Sequence, residues 1–239
     1  MAITLNLQHT VQTKTEPSQR AMRAATMFGL SLDGTHEHVV LPSLELPLLP
    51  GQLVFVTGVS GGGKSTLLRL IHSAIDSMPP TSTEQVPGVV WSDRLPELAD
   101  TALVDALAMP EVDHALPPAD FDTVCRWLSR AGLNDAAVML RRPSELSQGQ
   151  QHRLRLAQAL AVAERRPEPW SVLLADEFGS TLDRTTASVI AGSVRRWVRR
   201  SRVCFVAATA HEDLLEPLDP DVLVEVEPAG RCAVHHRSS

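Results

Sequence analysis

The sequence predicts an α/β fold in which a buried parallel sheet presents its loops at one end. Three observations point to it. Residues 53–56 (Leu-Val-Phe-Val), 172–175 (Val-Leu-Leu-Ala) and Val203–Ala208 are continuously apolar, the pattern of strands covered on both faces. The first run leads through a glycine-rich segment into a helical pattern holding Leu67, Leu68, Leu70 and Ile71, and the second ends in the acids Asp176 and Glu177. Helical patterns at 120–131, 148–163 and 185–200 alternate with the strands, as crossover-connected parallel strands require.

The segment between the first strand and its helix reads Gly58-Val59-Ser60-Gly61-Gly62-Gly63-Lys64-Ser65-Thr66. Glycines let successive backbone N–H groups curl around a polyphosphate, and the following helix N-terminus adds the positive end of its dipole. Lys64 is then placed to reach the terminal phosphates and the Ser65 hydroxyl to ligate Mg²⁺. With Gly58, Gly63, Lys64 and Ser65 at the required spacing between strand and helix, the fold class is a P-loop NTPase that binds a nucleoside triphosphate. At the end of the 172–175 strand, Asp176 is the expected Mg²⁺ carboxylate, and Glu177 the group that polarises a water attacking the γ-phosphate.

Between these elements lies Leu146-Ser147-Gln148-Gly149-Gln150, opening a helix with Leu154, Ala157, Leu160 and Ala161 on one side. Ser147 and Gln150 fit a capping box, so the pentapeptide can also be read as nothing more than a well-started helix. Its position between phosphate loop and acids, however, resembles the signature motif of the ATP-binding cassette (ABC) family. Downstream, Ser180-Thr181-Leu182-Asp183 stands where that family has its D-loop, and His211 stands after the Val203–Ala208 strand where it has a switch histidine. The resemblance covers about residues 38–227 and implies an ABC-type ATPase core with a small antiparallel β subdomain and a helical signature subdomain, using ATP and Mg²⁺. It further implies a head-to-tail homodimer in which Ser147 and Gly149, with Gln150 beside them, contact the γ-phosphate bound by the opposite subunit. Asp183 would sit at that interface, and His211 would contact the γ-phosphate beside Glu177, as catalytic residues together with Lys64.

Some positions depart from the family pattern. Its transporter members carry a glutamine at the end of the strand entering the helical subdomain, which contacts Mg²⁺ and couples to a membrane partner. The corresponding segment here is Val89-Val90-Trp91-Ser92-Asp93, and either Asp93 takes over as a metal ligand or the loop is shifted. Gln148 replaces the first signature glycine, and Phe178 a proline after the catalytic acid. Phe28 is either the adenine-stacking aromatic or a core residue. The segments Met27-Phe28-Gly29-Leu30, 132–142 and 176–184 resemble a soluble ABC branch sometimes fused to an acetyltransferase domain. The missing glutamine and the lack of a membrane-spanning stretch point to an ATP-driven dimerisation switch with a protein or nucleic-acid partner rather than to a standard transporter, whose nucleotide-binding subunit is the alternative reading.

The organisation expected from these readings is an N-terminal arm over 1–37 and an ATPase domain over 38–239, with the helical subdomain at about 95–163. The arm is polar, with a helical patch at 20–27. Residues 39–49 read as short strands interrupted by prolines, and the proline-rich stretch 78–87 as a loop. A net charge of −6 argues against an overall affinity for nucleic acid; the basic run Arg195-Arg196-Trp197-Val198-Arg199-Arg200 is the only hint of a DNA-repair or DNA-defence ATPase. Cations at a helix C-terminus more often complement its dipole. Cys125, Cys204 and Cys232 have neither disulfide-framework nor zinc-ligand spacing, no stretch is long and apolar enough to span a membrane, and the expected location is cytoplasmic.

Overall fold

A computed structural model describes residues 2–13, 18–29, 36–79, 86–108, 117–166, 168–227 and 232–237. Strand β1 (Ile3–Thr13) is followed by helix α1 (Gln19–Phe28), β2 (His36–Leu48), β3 (Leu53–Gly58), α2 (Lys64–Asp76) and β4 (Gly88–Trp91). Four helices come next, α3 (Leu103–Ala106), α4 (Phe121–Arg130), α5 (Ala136–Met139) and α6 (Gln148–Arg165). The chain closes with β5 (Ser171–Ala175), α7 (Arg184–Val198), β6 (Val203–Ala208), α8 (Leu215–Leu218), β7 (Val222–Val226) and β8 (Cys232–His236). Within the 78–87 stretch, residues 80–85 lie outside the described residues, as does Leu30.

Strands β4-β5-β6-β3-β7-β8 form one sheet in that order, parallel throughout except for the antiparallel edge strand β8. Alternation along each buried strand divides the interior in two. Phe55, Leu173, Phe205 and Ala207 face a core made with α4, α6 and α7, which includes Trp127 and Trp197. Val54, Val56, Leu174, Val206 and Ala208 face the other core, closed by Leu67, Leu68, Ile71 and Ile75 of α2 and by the leucines of β1 and β2. A period of two on strands covered on both sides explains why each run reads as unbroken apolar sequence.

The polar arm contains a strand that its composition conceals. Residues Ile3–Thr13 pair antiparallel with β2, and Leu5 and Leu7 are buried while Asn6 between them and Thr4 and Gln8 beside them are exposed. The apolar period of two is present but short. Residues 39–49, expected as broken strands, lie mostly in the single strand β2; Pro47 pairs opposite Thr4 in a sheet of only two strands, where a missing N–H is readily tolerated. Helix α1 occupies the expected helical patch, capped by the Ser18 side chain, which accepts from the Ala21 N–H, and by Gly29 in the left-handed region.

One ion pair ties helix to sheet. Arg195 of α7 is buried and donates two hydrogen bonds of 2.7 Å to the Asp221 carboxylate, which also accepts the Leu53 N–H at 2.7 Å. That carboxylate therefore fixes the C-terminal half of α7 against the start of β3 and the entry to β7. Burial pushes the Asp221 carboxyl up, but the Arg195 bonds and charge, the Leu53 N–H and the Arg199 charge outweigh it and hold it below the usual carboxylate range. A group depressed in the folded state contributes stability above its unfolded value, about 3.9, and loses it as pH falls through the folded value. Replacing Arg195 by Met should cost about 3 kcal/mol in urea unfolding at pH 7, because an unpaired carboxylate is left behind. The difference in unfolding midpoint between the wild-type protein and Asp221→Asn should narrow as pH is lowered below about 4; a gap that stays constant would remove Asp221 from this role.

Candidate nucleotide site

Strand β3 ends at Gly58, paired with Val226 of β7. A Cβ at Gly58 would lie 2.1 Å from the Val226 carbonyl oxygen, and its φ is +141°, so only glycine fits. From there the chain turns through Gly61 (φ +76°) and Gly63 (φ +106°), with the Gly62 N–H bonding the Val59 carbonyl at 3.0 Å. Helix α2 then starts, and its first backbone bond runs from the Leu67 N–H to the Gly63 carbonyl at 2.9 Å. The N–H groups of Lys64, Ser65 and Thr66 thus precede any intrahelical acceptor, as the first turn of a helix requires. The Lys64 ammonium folds back over the loop and donates to the Gly58 and Val59 carbonyls, both at 2.8 Å. A cradle of backbone donors with a cation across its mouth, and Val59 and Ser60 exposed at its tip, fits the triphosphate of ATP.

The acids stand two strands away. Burial pushes Lys64 below the usual lysine range, while the charges of Asp176 and Glu177 push it up, so amine and carboxylates share one electrostatic site at the carboxyl end of the sheet. The Asp176 side chain accepts the Glu177 N–H at 3.0 Å. Glu177 has a φ of +47° and, with Asp219, is one of two non-glycine positions with positive φ among the described residues. A glutamate held there costs roughly 1–2 kcal/mol, and such strain concentrates at functional sites. Two contacts over-determine the turn: the Phe178 N–H bonds the Ala208 carbonyl at 2.9 Å, and the Phe178 ring packs edge-on against Phe205 at 5.5 Å. Phe178 is therefore a core side chain, which accounts for an aromatic where the family has proline.

Asp93 follows β4 in a short 3₁₀ turn, Ser92–Arg94, its carboxylate accepting from the Ser92 hydroxyl at 3.1 Å. It lines a small cavity together with Asp176, Phe178, His152 and Arg155, which places it beside the acids at the strand ends. Among the described residues no three His, Cys, Asp or Glu side chains cluster as a metal site. The donor set, Ser65 with Asp176 or Asp93, suits an ion carried in on phosphate oxygens, the usual way Mg²⁺ is held.

Ser147 caps α6. Its side chain accepts the Gln150 N–H at 3.4 Å and its own N–H donates to Gln150 Oε1 at 3.0 Å, so the capping box is formed in full. Ser147 is exposed, and Gly149 lies close to Thr181 and Leu182 of the loop after the acids. Asp183 caps α7 by accepting the Thr186 N–H at 2.9 Å, and hydrogen bonds from Thr186 hold its carboxyl below the usual range. His211 is half-buried at the turn after β6, its N–H donating to Thr209 Oγ1 at 3.3 Å. Phe28 sits at the exposed end of α1 with 76% of its surface free, so it is not a core residue.

Two positioning residues have no motif to announce them. Arg184 donates to both oxygens of Asp213 at 3.0 and 3.1 Å and to the carbonyls of Gly179 and Leu182 at 3.0 and 3.2 Å. It staples the loop after Glu177 to the turn after His211. Thr209, fully buried, orients that turn from the other side.

These parts, a phosphate cradle facing paired acids at the ends of parallel strands, define a P-loop ATPase site. A family model described as "ABC transporter" matches residues 41–178, more than half of the chain, and the chain belongs to that family of ATP-binding and ATP-hydrolysing cassettes. It is 30% identical over 232 residues to "Methionine import ATP-binding protein MetN" of Xanthomonas oryzae pv. oryzae, across 86% of this chain. It spans only 66% of the length of that relative. To "Lipoprotein-releasing system ATP-binding protein LolD" of Nitrobacter winogradskyi it is 32% identical over 209 residues, covering 78% of this chain and 84% of the relative. In fold it resembles the dimeric ATP-binding cassette MJ0796 in a post-hydrolysis state bound to ADP and Pi, with a TM-score of 0.66, 17% identity and 100% of each chain covered. Membership of the acetyltransferase-linked branch does not follow from these matches.

The strain at Glu177 gives a direct expectation. Glu177→Gly should raise the unfolding free energy by about 0.5–1 kcal/mol, the relief of left-handed strain less the added freedom of the unfolded chain, while hydrolysis falls. Unchanged or lower stability in thermal and urea unfolding would show that the turn stores no strain.

Proposed function

We propose that the chain hydrolyses ATP and serves as the nucleotide-binding subunit of an ABC transporter. The observation that carries the ATPase reading is the Lys64 amine, held over the phosphate loop within the fields of Asp176 and Glu177. In this reading the loop N–H groups and Lys64 bind the β- and γ-phosphates, and Ser65 and Asp176 hold Mg²⁺, with Asp93 as a further acid beside them. Bound Mg²⁺ supplies charge neutralisation on the phosphate oxygens. Glu177 accepts the proton of a water placed in line with the γ-phosphorus, and His211 positions that water and the phosphate. ADP and inorganic phosphate leave.

The transporter assignment rests on the roles in the relatives' names, methionine import and lipoprotein release, which we take to call for a membrane partner. Among the described residues no helix is long and apolar enough to cross a membrane, so such a partner would be a separate chain or segment docked to a cytoplasmic ATPase. A second reading, a dimerisation switch acting on a protein other than a permease, is favoured by one observation: Asp93 occupies the strand end where transporter members carry glutamine. Nucleic acid is the weakest of the partner readings, because half of the basic run at the end of α7 is engaged internally.

In both readings two subunits close head to tail, with Ser147 and Gly149 of one completing the phosphate site of the other and Asp183 between them. Lys64→Ala should lose Mg-ATP binding in titration calorimetry; retained turnover would overturn the phosphate-loop assignment. Glu177→Gln should keep ATP binding and slow kcat by about 10²–10⁴-fold. By light scattering, Glu177→Gln protein should double in mass on adding Mg-ATP, and the further change Ser147→Arg should abolish the doubling while ATP still binds. Co-isolation of a membrane permease with the tagged chain decides for transport, and an ATP-dependent dimer without one for the switch.

A further inference from the structure

The basic run at the end of α7 splits into two sets with different surroundings. Arg195 and Arg199 turn towards the β7 entry, where Arg195 pairs with Asp221 at 2.7 Å and Arg199 with Asp219 at 2.5 Å. Arg196 and Arg200, one helical turn apart, instead line a cavity of about 460 Å³ together with Arg202. None of these three guanidiniums has a hydrogen bond or ion pair with a described residue, and all three are exposed.

Capping of α7 does not account for them. The carbonyls of Arg195, Trp197 and Val198 accept the N–H groups of Arg199, Arg200 and Ser201 at 3.2, 3.0 and 3.0 Å, so the helix end is closed by backbone. The acids of the cavity are also engaged. Glu164 accepts from Arg130 at 2.8 Å and from both indole N–H groups of Trp127 and Trp197, and Glu168 pairs with Arg166 at 3.1 Å through Oε1, its buried Oε2 having no hydrogen bond among the described residues. The cavity thus presents five guanidiniums against two carboxylates, on a chain whose net charge is −6. Its inner wall is formed by the buried Trp170 and Trp197.

The site is separate from the nucleotide site. Ser171 and Val203, at the beginnings of β5 and β6, line it, whereas the phosphate loop follows the end of β3. The strands are parallel, so the two sites lie at opposite ends of the sheet, roughly 17 Å apart for five residues of strand.

We infer that this cavity binds a small phosphorylated organic molecule, a second ligand independent of ATP. Its volume falls in the range of small-ligand sites. Planar guanidinium forks take phosphate oxygens two at a time, and three that lack partners match a multivalent phosphate better than a single carboxylate. A cavity of about 460 Å³ leaves room for an organic part beside the phosphates. A nucleic-acid duplex would need a basic surface extending along its backbone, but the neighbouring Arg195 and Arg199 are turned to ion pairs with Asp221 and Asp219.

Inorganic pyrophosphate is the probe. It is titrated calorimetrically into full-length Lys64→Ala protein, whose phosphate loop is disabled, and into the same protein carrying R196Q, R200Q and R202Q. Saturable binding is expected in the first, weakened by roughly tenfold or more in the second, since charge-assisted hydrogen bonds to phosphate are lost. Binding should also weaken as ionic strength is raised from about 0.05 to about 0.3 M. Matching thermal unfolding curves establish that the variant is folded, and the single exposed change Arg200→Glu gives the same readout should three changes disturb it. Absence of saturable binding to Lys64→Ala, or equal binding with and without the arginines, overturns the inference. So does tighter arginine-dependent binding of a short DNA duplex than of pyrophosphate, which would make the surface a nucleic-acid contact.

Discussion

Strand β3 cannot carry a side chain at its last residue, because the carbonyl of Val226 on the neighbouring strand stands 2.1 Å from where a Cβ at Gly58 would be. That close approach is what sends the chain out of the sheet into the loop. With φ at +141° the backbone leaves the strand in a conformation that L side chains rarely adopt, and the left-handed turns at Gly61 and Gly63 bring it round to a helix start. The first-turn N–H groups of α2 then point into the concavity, and Lys64 crosses it to the Gly58 and Val59 carbonyls. Cradle, helix dipole and cation are successive consequences of one steric constraint between β3 and β7.

The acid-bearing half of the site is held differently, by strain balanced against packing. Glu177 occupies the left-handed region at a cost that its own contacts do not offset. Phe178, locked onto Phe205 in the core, and Arg184, bonded to two carbonyls and a carboxylate, fix the turn from both sides. The loop between the acids and α7 is thereby tied down where the glutamate is strained. A carboxylate that must meet a water in a narrow range of positions benefits from being placed by the fold.

Residues whose backbone conformation depends on residue type were legible in the sequence, and those whose role depends on a distant partner were not. The phosphate loop could be read because glycine is required at fixed offsets, and the buried strands because parallel sheets covered on both faces need unbroken apolar runs. Strand β1 escaped because, among its described side chains, the buried face is Leu5 and Leu7 with partly buried Ile3, set in a polar segment. Arg184 escaped because its carboxylate partner, Asp213, lies 29 residues further along the chain, and Thr209 because no sequence pattern marks a buried threonine whose hydroxyl accepts the His211 N–H two residues on. Phe28, weighed as a core residue or a stacking ring, proves exposed at the end of α1, which local apolarity alone could not decide. The basic run of α7 reads as one cluster along the chain, yet helical geometry sends Arg195 and Arg196 to different neighbours.

Ser147 shows why a local structural role and a proposed functional one need not compete. In the capping box its hydroxyl oxygen accepts the Gln150 N–H, at the long distance of 3.4 Å, while the donating bond to Gln150 Oε1 comes from its backbone. A serine hydroxyl has one proton to give and two lone pairs. The cap uses a lone pair and leaves the proton unspent on an exposed helix N-terminus, where the dipole favours an anion. The arrangement that starts α6 therefore also presents a donor of the kind a γ-phosphate requires. The same logic governs α2, where the groups left over by helix initiation are those that face the phosphate. A dimer closed by ATP would then join two helix N-termini on one triphosphate, and the attraction binding the subunits would fall once hydrolysis and phosphate release removed the shared charge.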